Sequence, residues 1–528
     1  MLRNKGPSLK YKIIVLLFII APLSYVFPLF TQLEKINLTL LQDAGINANM
    51  AWLRSFLFAL ISSSFNILLS LWLAIKLRGI KLFSYKGSFL TILLLPILIG
   101  DVSIAFIGKV LFANNTILHE NANLKFISLI FIQFWQYGTL FTYIFWLVIQ
   151  GIKEDVKDFA TGVRLSSAEY TKDIILPATR NIAILSFVLN FVFAFFENAK
   201  SQFIYRASRG TNSEFISRWL EKYYQDNTLF NIDFATSQTL QYGAVVMFSL
   251  LLIIILFSAT FDYSYKKYLR SSVYLPSGTC SIFTDLLFVI IIAAVIIPVG
   301  WLILKLIIDT RFASDKLWTS VLITAIAALV STLLSIQLGI LLRLAWKNVM
   351  STFSKKSLVF YAAILFILLF PPLVLYILGF KWLSVIGYQN SLLINAVWII
   401  GHVFLVLPIL SSFVAVTHYR TTNNEIEYLN AYKLNYRDKI KALFNRRYLL
   451  DYSLTFLISF SFIWNESTIN NLLSDFIPSF ISEMKMSISG RGTDYSSGIG
   501  YFFISISLAI LAIILWNYIM RRIRIKLM

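Results

Sequence analysis

Few residues in this 528-residue chain are placed to do chemistry, and most of them are acidic or amide side chains set inside apolar segments. Glu197 closes the run Ala194-Phe195-Phe196, and Glu466 closes Phe462-Ile463-Trp464-Asn465. An ionisable group inside or at the mouth of a membrane span is costly, and by default it faces a cavity or a partner group. Two readings stand side by side for this pair: both glutamates line a translocation pathway, or both cap helices at the exterior interface. Asp101, Asn190, Asn465 and Gln136 are lesser candidates, each read either as a solute-facing group or as an interhelical hydrogen-bonding group. Bond-breaking chemistry is not offered. Cys280 is the single cysteine, so no disulfide forms within this chain and no thiolate metal cluster is expected. His119, His402 and His418 are scattered without ligand spacing, and no GxxxxGK[ST] phosphate loop is found. Catalytic residues, bound metal and ATP hydrolysis by this chain are therefore not expected.

The elements that must position those residues are membrane helices. Hydrophobic residues make up 58% of the chain and charged residues 14%, against about 25% charged in a typical soluble domain. Apolar runs of about 20 residues, the length that crosses a bilayer, recur along the whole chain. The fold class is an all-α polytopic membrane protein with about twelve transmembrane helices. The net charge of +20 does not point to nucleic acid, because the basic residues are dispersed over alternate turns between spans. About thirty of the 46 basic residues fall in loops assigned to the cytoplasm, which places both termini inside by the positive-inside rule.

The first half, 1–275, holds spans near Tyr11–Phe30, Ala51–Leu77, Ser88–Val110, Phe126–Gln150, Ile182–Ala199 and Tyr242–Phe261. The start, Met1 to Tyr11, is basic and resembles a signal peptide, but its apolar stretch is long and reads as an uncleaved span. Pro96 and Gly100 interrupt the third span, and a mostly polar exterior segment runs from Lys200 to about Gln241. Pro276-Ser277-Gly278 marks the boundary. The second half, 276–528, repeats the plan with spans near Phe283–Ile307, Trp318–Leu342, Leu358–Phe380, Ser391–Val416, Tyr452–Leu472 and Gly498–Tyr518. Six spans is an even number, so the two halves enter the membrane in the same orientation and form parallel repeats.

Internal matches support the duplication. The same 39-residue spacing separates Asp158 from Glu197 and Glu427 from Glu466. In that register Phe187 matches Phe456, Phe191 matches Phe460 and Phe193 matches Phe462; earlier, Ser55 matches Ser320, Ser70 matches Ser335 and Arg78 matches Arg343. Each match is weak in a phenylalanine-rich chain, and the shared register is what carries weight.

The stretch from Asp158-Phe159-Ala160-Thr161-Gly162 to Ile174-Ile175-Leu176-Pro177 resembles the "EAA" loop of the permeases of bacterial ABC importers. Asp158 stands where the family usually has Glu, Ala160 matches a motif alanine, and Ile175-Leu176-Pro177 matches the closing apolar-Leu-Pro. The motif glycine falls on Arg164 if Pro177 sets the register, with Gly162 just before it. A fainter copy begins at Glu427-Tyr428-Leu429-Asn430-Ala431 and lacks the Leu-Pro ending. The loops lie near 154–180 and 420–450.

The resemblance implies a fused two-domain permease of the type I importer fold. Asp158, Ala160, Gly162, Leu176, Pro177, Glu427 and Ala431 would then couple the chain to an ATPase. Implied partners are two copies of a cytoplasmic ABC ATPase, which carries the ATP-Mg, a periplasmic or lipid-anchored solute-binding protein, and the lipid of a bacterial inner membrane. The solute is nominally iron(III), with thiamine, a polyamine or another small solute as alternatives. An ion-coupled secondary carrier is the rival from another class, and it would need inverted repeats or a charged relay deep within the spans. A membrane glycosyltransferase is a weaker rival, since only Glu34 and Asp43 are offered in an early exterior loop.

Overall fold

The computed structural model describes residues 38–80, 84–112, 122–150, 152, 162–163, 165–195, 197, 200, 215, 282–307, 316–350, 394–396, 398–403, 406, 446–465, 479–480, 484 and 496–527. Among these residues the regular structure is helical throughout, with no strand. Helix α1 (Leu38–Lys76) ends in a 3₁₀ turn at Leu77–Gly79. The next segment runs as α2 (Tyr85–Phe89), a 3₁₀ stretch (Leu90–Leu94) and α3 (Leu95–Ile99), then reverses sharply into α4 (Asp101–Phe112). Helices α5 (Ala122–Gln133) and α6 (Thr139–Gln150) are joined through a π turn at Phe134–Gly138. A short α7 (Ser167–Tyr170) leads through a second π turn (Thr171–Ile175) into α8 (Leu176–Phe195). The later elements are α9 (Ile282–Ile307), α10 (Lys316–Met350), α11 (Arg446–Asn465) and α12 (Ser496–Leu527).

The helices wear their apolar faces outward. On α9, Leu286, Val289, Ile290, Ile297 and Trp301 are exposed, and on α10 so are Trp318, Leu322, Ile326, Leu329 and Leu333. Those spacings mark single helix faces. The buried faces carry small polar residues among their apolar ones: Ser55, Ser62, Ser63, Asn66 and Ser70 on α1, and Ser320, Thr324, Ser331, Thr332 and Ser335 on α10. A soluble helix does the reverse. Lipid gives no hydrophobic reason to bury leucine, so helices associate through small residues that permit close approach and through hydrogen bonds between helices. Met50–Gly79, Trp318–Gly339 and Gly500–Tyr518 are each long and apolar enough to cross a bilayer, and two bent pairs bring the total to five among the described residues. The chain is a helical, membrane-embedded protein.

The interruption of the third span at Gly100 is a sharp turn. Tyr85–Ile99 and Asp101–Ile107 meet at 95°. The turn is made by Gly100, whose φ of 89° and ψ of 165° lie in a region almost confined to glycine. A Cβ on Gly100 would coincide with the side-chain amide of Asn465 on α11. That amide holds the bend in place, with Asn465 Nδ2 donating to Leu98 O at 3.2 Å and to Ser461 O at 2.9 Å.

The core is continuous across both parts of the chain. Helix α1 lies along α8 and α6, α10 lies along α11, and α12 lies on α3 and α11. Buried Trp516 Nε1 on α12 donates to Tyr143 Oη on α6 at 2.9 Å, and Trp135 Nε1 donates to Ala294 O on α9 at 3.2 Å. Replacing Tyr143 with Phe is expected to cost about 1–3 kcal/mol by stranding the indole N–H in the core. The thermal midpoint of the solubilised chain checks this, and an unchanged midpoint would show that the bond adds nothing to the packing.

Candidate functional site

Two regions gather the polar groups. The first sits at the Gly100 bend. Asp101 opens α4, Gln136 and Tyr137 lie in the π turn between α5 and α6, and Glu197 follows α8 by two residues. Lys200, expected from sequence to begin an exterior segment, is instead helical and completely buried. Its ammonium lies 2.6 Å from Glu197 Oε2, 2.9 Å from Gln133 Oε1 and 3.3 Å from Asp101 Oδ1, and 5.2 Å from the centre of the Tyr137 ring. Its backbone N–H also donates to Glu197 Oε1 at 2.7 Å. Gln136 Nε2 donates to Asp101 Oδ1 at 2.5 Å, and the Tyr137 hydroxyl donates to the same oxygen at 3.4 Å.

The sequence makes this arrangement through local departures from regular helix. A π turn widens the coil by one residue per turn and is frequent at functional sites; here Gln136 and Tyr137 lie in it, and both meet Asp101. Gly100 turns the chain so that Asp101 starts a new helix beside them. The depth follows from helical rise. Gln136 lies fourteen residues from Gln150, about 20 Å along the axis. Gln150 in turn donates to Arg78 O at 2.9 Å, at the end of α1. The cluster therefore stands far from the Arg78 end of the bundle.

Within it, one buried ammonium faces two carboxylates. Ions removed from water are tolerated only when paired and hydrogen-bonded, and Lys200 makes three side-chain contacts that meet this need. Glu197 is 4% exposed, whereas the Asp101 side chain is 33% exposed. Asp101 is thus the open edge of an otherwise sealed group.

The other pathway candidates are placed as follows. Asn190 joins α8 to α1: Asn66 Nδ2 donates to Asn190 Oδ1 at 3.3 Å, and Asn190 Nδ2 donates to Ser63 Oγ at 3.1 Å. Asn465 braces the Gly100 bend, and its Oδ1 is buried without a hydrogen bond. Glu466 lies outside the described residues. The structure thus brings Asp101 and Glu197 together, with Asn190 and Asn465 elsewhere in the interhelical contacts. Lys200 escaped the sequence reading. The available signal was the Glu197-to-Lys200 spacing of three, which places opposite charges on one helical face. His402 is buried against the edge of Trp398, with Nδ1 donating to the Trp398 carbonyl at 2.7 Å. Phe215, from the segment expected to be exterior, is buried on Phe58 with ring centres 5.3 Å apart.

The second region is the loop before α8. Gly162 and Val163 are exposed, and the space around Gly162 is open. Ser166 caps α7 with a reciprocal capping box: its hydroxyl accepts from Glu169 N, while Glu169 Oε2 accepts from Ser166 N at 2.8 Å. Ser167, Ala168, Glu169, Lys172 and Leu176 face outward, and Tyr170 and Ile175 face in. Pro177 cannot donate to the carbonyl four residues back; it is the second residue of α8, two positions after the π turn ends. Between Ser167–Arg180 and Ile182–Phe195 the chain bends by 57°.

Arg78 holds this loop to the bundle. Its Nη2 donates to Ser167 Oγ at 2.7 Å, its Nη1 to Thr171 Oγ1 at 3.4 Å, and its guanidinium lies 5.2 Å from the centre of the Tyr170 ring. Asp158, Ala160, Glu427 and Ala431 lie outside the described residues, as does most of the second loop. No protein-family model, no curated protein and no solved structure matches the chain.

Proposed function

We propose that the chain is the permease of an ATP-driven solute importer, with the Gly162–Pro177 loop as a docking element for a separate ATPase. The observation that carries this reading is the Arg78-clamped α7: a short, capped helix with an exposed outer face, fixed to the end of the membrane helix α1. Force applied to such a helix passes through Arg78 and Tyr170 to α1 and through α8 toward Glu197, which is the mechanical requirement for coupling. Lys76, Arg78, Lys172 and Arg180 gather at this end, which supports its assignment to the cytoplasm.

Three packing features favour two related halves. Phe193 on α8 stacks on Phe462 on α11 with ring centres 5.1 Å apart, and these residues are each other's counterparts in the internal register. Contact between counterparts is what a two-fold axis between halves produces. The matched serines, Ser55 with Ser320 and Ser70 with Ser335, are all fully buried. Helices α1 and α8 lie together in one half, as α10 and α11 do in the other. In this reading twelve spans form two parallel six-helix repeats, an extracytoplasmic binding protein delivers the solute, and ATP-Mg binds to the partner ATPase. Iron(III) remains the nominal solute.

A secondary carrier is the second reading, and the Asp101–Glu197–Lys200 cluster favours it by supplying intramembrane charges. A pull-down of the solubilised chain separates the two. Co-purification of an ATPase and a solute-binding protein is expected. A chain that comes down alone and transports in vesicles without ATP would sink the importer. A narrower test is Arg78→Ala, expected to lower ATPase association or coupled transport tenfold or more in a chain that still folds, since hydrogen bonds from a charged donor contribute about 1.5–3 kcal/mol. Full coupling in that variant would remove the clamp from the mechanism. Charge reversal at Asp158 with disruption of Gly162 is expected to be more damaging than matched changes around Glu427.

A further inference from the structure

Asp101 is held by one side only. Gln136, Tyr137 and Lys200 all address its Oδ1, and among the described residues nothing addresses Oδ2. The side chain is one-third exposed, so the unoccupied oxygen belongs to the open edge of the cluster. Asp101 therefore brings its negative charge to that open edge.

A second observation points the same way. Gln136 is 1% exposed, and its Oε1 is buried without a hydrogen bond. The orientation of this amide is settled by chemistry, because a carboxylate only accepts and so must meet the NH₂ side. The other end of the amide is therefore an acceptor, and a buried acceptor left without a donor costs about 1–3 kcal/mol. The site thus combines a carboxylate addressed on one oxygen only with a stranded acceptor beside it. An anion would meet repulsion from Asp101, and an apolar group would leave both acceptors unmet. A cation that carries N–H donors meets both needs.

We propose that Asp101 and Gln136 form a subsite for the ammonium-class cationic group of a transported solute, with Lys200 and Glu197 as the fixed ion pair behind it. This rests on the reading of the chain as a solute permease, and it replaces the nominal iron(III), which carries no N–H donor, with a solute that has an N–H-bearing cationic group. The Glu197–Lys200 pair stays closed at 2.6 Å, so the exchangeable position is the outer face of Asp101. The Gly100 bend supplies the geometry, since a continuous helix would carry Asp101 onward along the α3 axis and away from the π turn.

The test uses the full chain in lipid nanodiscs at constant ionic strength, with butylammonium and tetramethylammonium as probes and the thermal midpoint as readout. Both probes carry one positive charge, and only butylammonium can donate. Butylammonium is expected to raise the midpoint saturably, because a ligand that binds the folded state stabilises it by mass action. Tetramethylammonium is expected to act at least tenfold more weakly. Asp101→Asn should weaken the butylammonium effect at least tenfold, and Gln136→Leu at least threefold. Should Asp101→Asn fail to fold, the wild-type comparison of the two probes and the Gln136→Leu titration decide the matter. Equal shifts from both probes, or unchanged apparent affinity in Gln136→Leu, overturn the subsite. A chain that drives ATP-dependent transport but shows no preference for butylammonium keeps the importer and loses the subsite. One that binds butylammonium selectively but captures no ATPase keeps the subsite and loses the importer.

Discussion

Replacing Lys200 with Met is expected to destabilise the folded chain by about 3–5 kcal/mol, the cost of breaking a buried ion pair by removing one partner. Lys200 is completely buried and Glu197 is 4% exposed, so solvent screening does little to reduce the figure. The variant would leave two carboxylates, Glu197 and Asp101, facing a methionine thioether that can neutralise neither. It would also strand Gln133, whose Oε1 accepts from Lys200 and whose Nε2 already lacks a partner. Adding Glu197→Gln should return much of the loss, because the isolated charge goes with it. The thermal midpoints of the wild type, both single variants and the double variant form a cycle that isolates the coupling. If Lys200→Met and the double variant melt together at the wild-type temperature, the buried pair is not a structural element.

The second large effect concerns the bend. Gly100→Ala is expected to cost about 2–6 kcal/mol from two additive sources. A side chain at φ 89° and ψ 165° is strained by about 1–3 kcal/mol. The new methyl group also falls on the Asn465 amide, and overpacking costs about 1–3 kcal/mol more. Displacing that amide breaks its bond to Leu98 O. Shortening Asn465 to Gly in the Gly100→Ala background should recover the steric part and leave the backbone part. Beyond stability, Gly100→Ala should impair transport, since Asp101 would no longer start its helix beside Gln136. Wild-type stability with wild-type transport in Gly100→Ala would show that the bend is absent from the working protein.

Apolar runs and sparse charge were sufficient to recognise membrane helices, because a bilayer imposes a length and a polarity that composition records directly. Spans expected near Ala51–Leu77, Trp318–Leu342 and Gly498–Tyr518 correspond to Met50–Gly79, Trp318–Gly339 and Gly500–Tyr518. The third span was read as one span interrupted at Pro96 and Gly100, with no turn assigned. Pro96 and Gly100 were noted, but glycine is tolerated in many membrane helices, and only the packing of Asn465 against this one makes it a turn. The site divides in the same way. Asp101 and Glu197 stand out in sequence because a carboxylate in an apolar run is costly, and that cost is local to the residue. Their meeting is not local, since it depends on the bend at Gly100, on the π turn at Phe134–Gly138, and on α8 lying against α1. Lys200 looked like the first residue of a polar exterior stretch, because polarity along a chain reports average exposure and cannot register one ammonium drawn inward by two carboxylates. Chain chemistry alone settled which groups need compensation; the tertiary structure settled which distant partners meet Asp101, because partners 35 to 99 residues apart are chosen by helix packing rather than by sequence spacing.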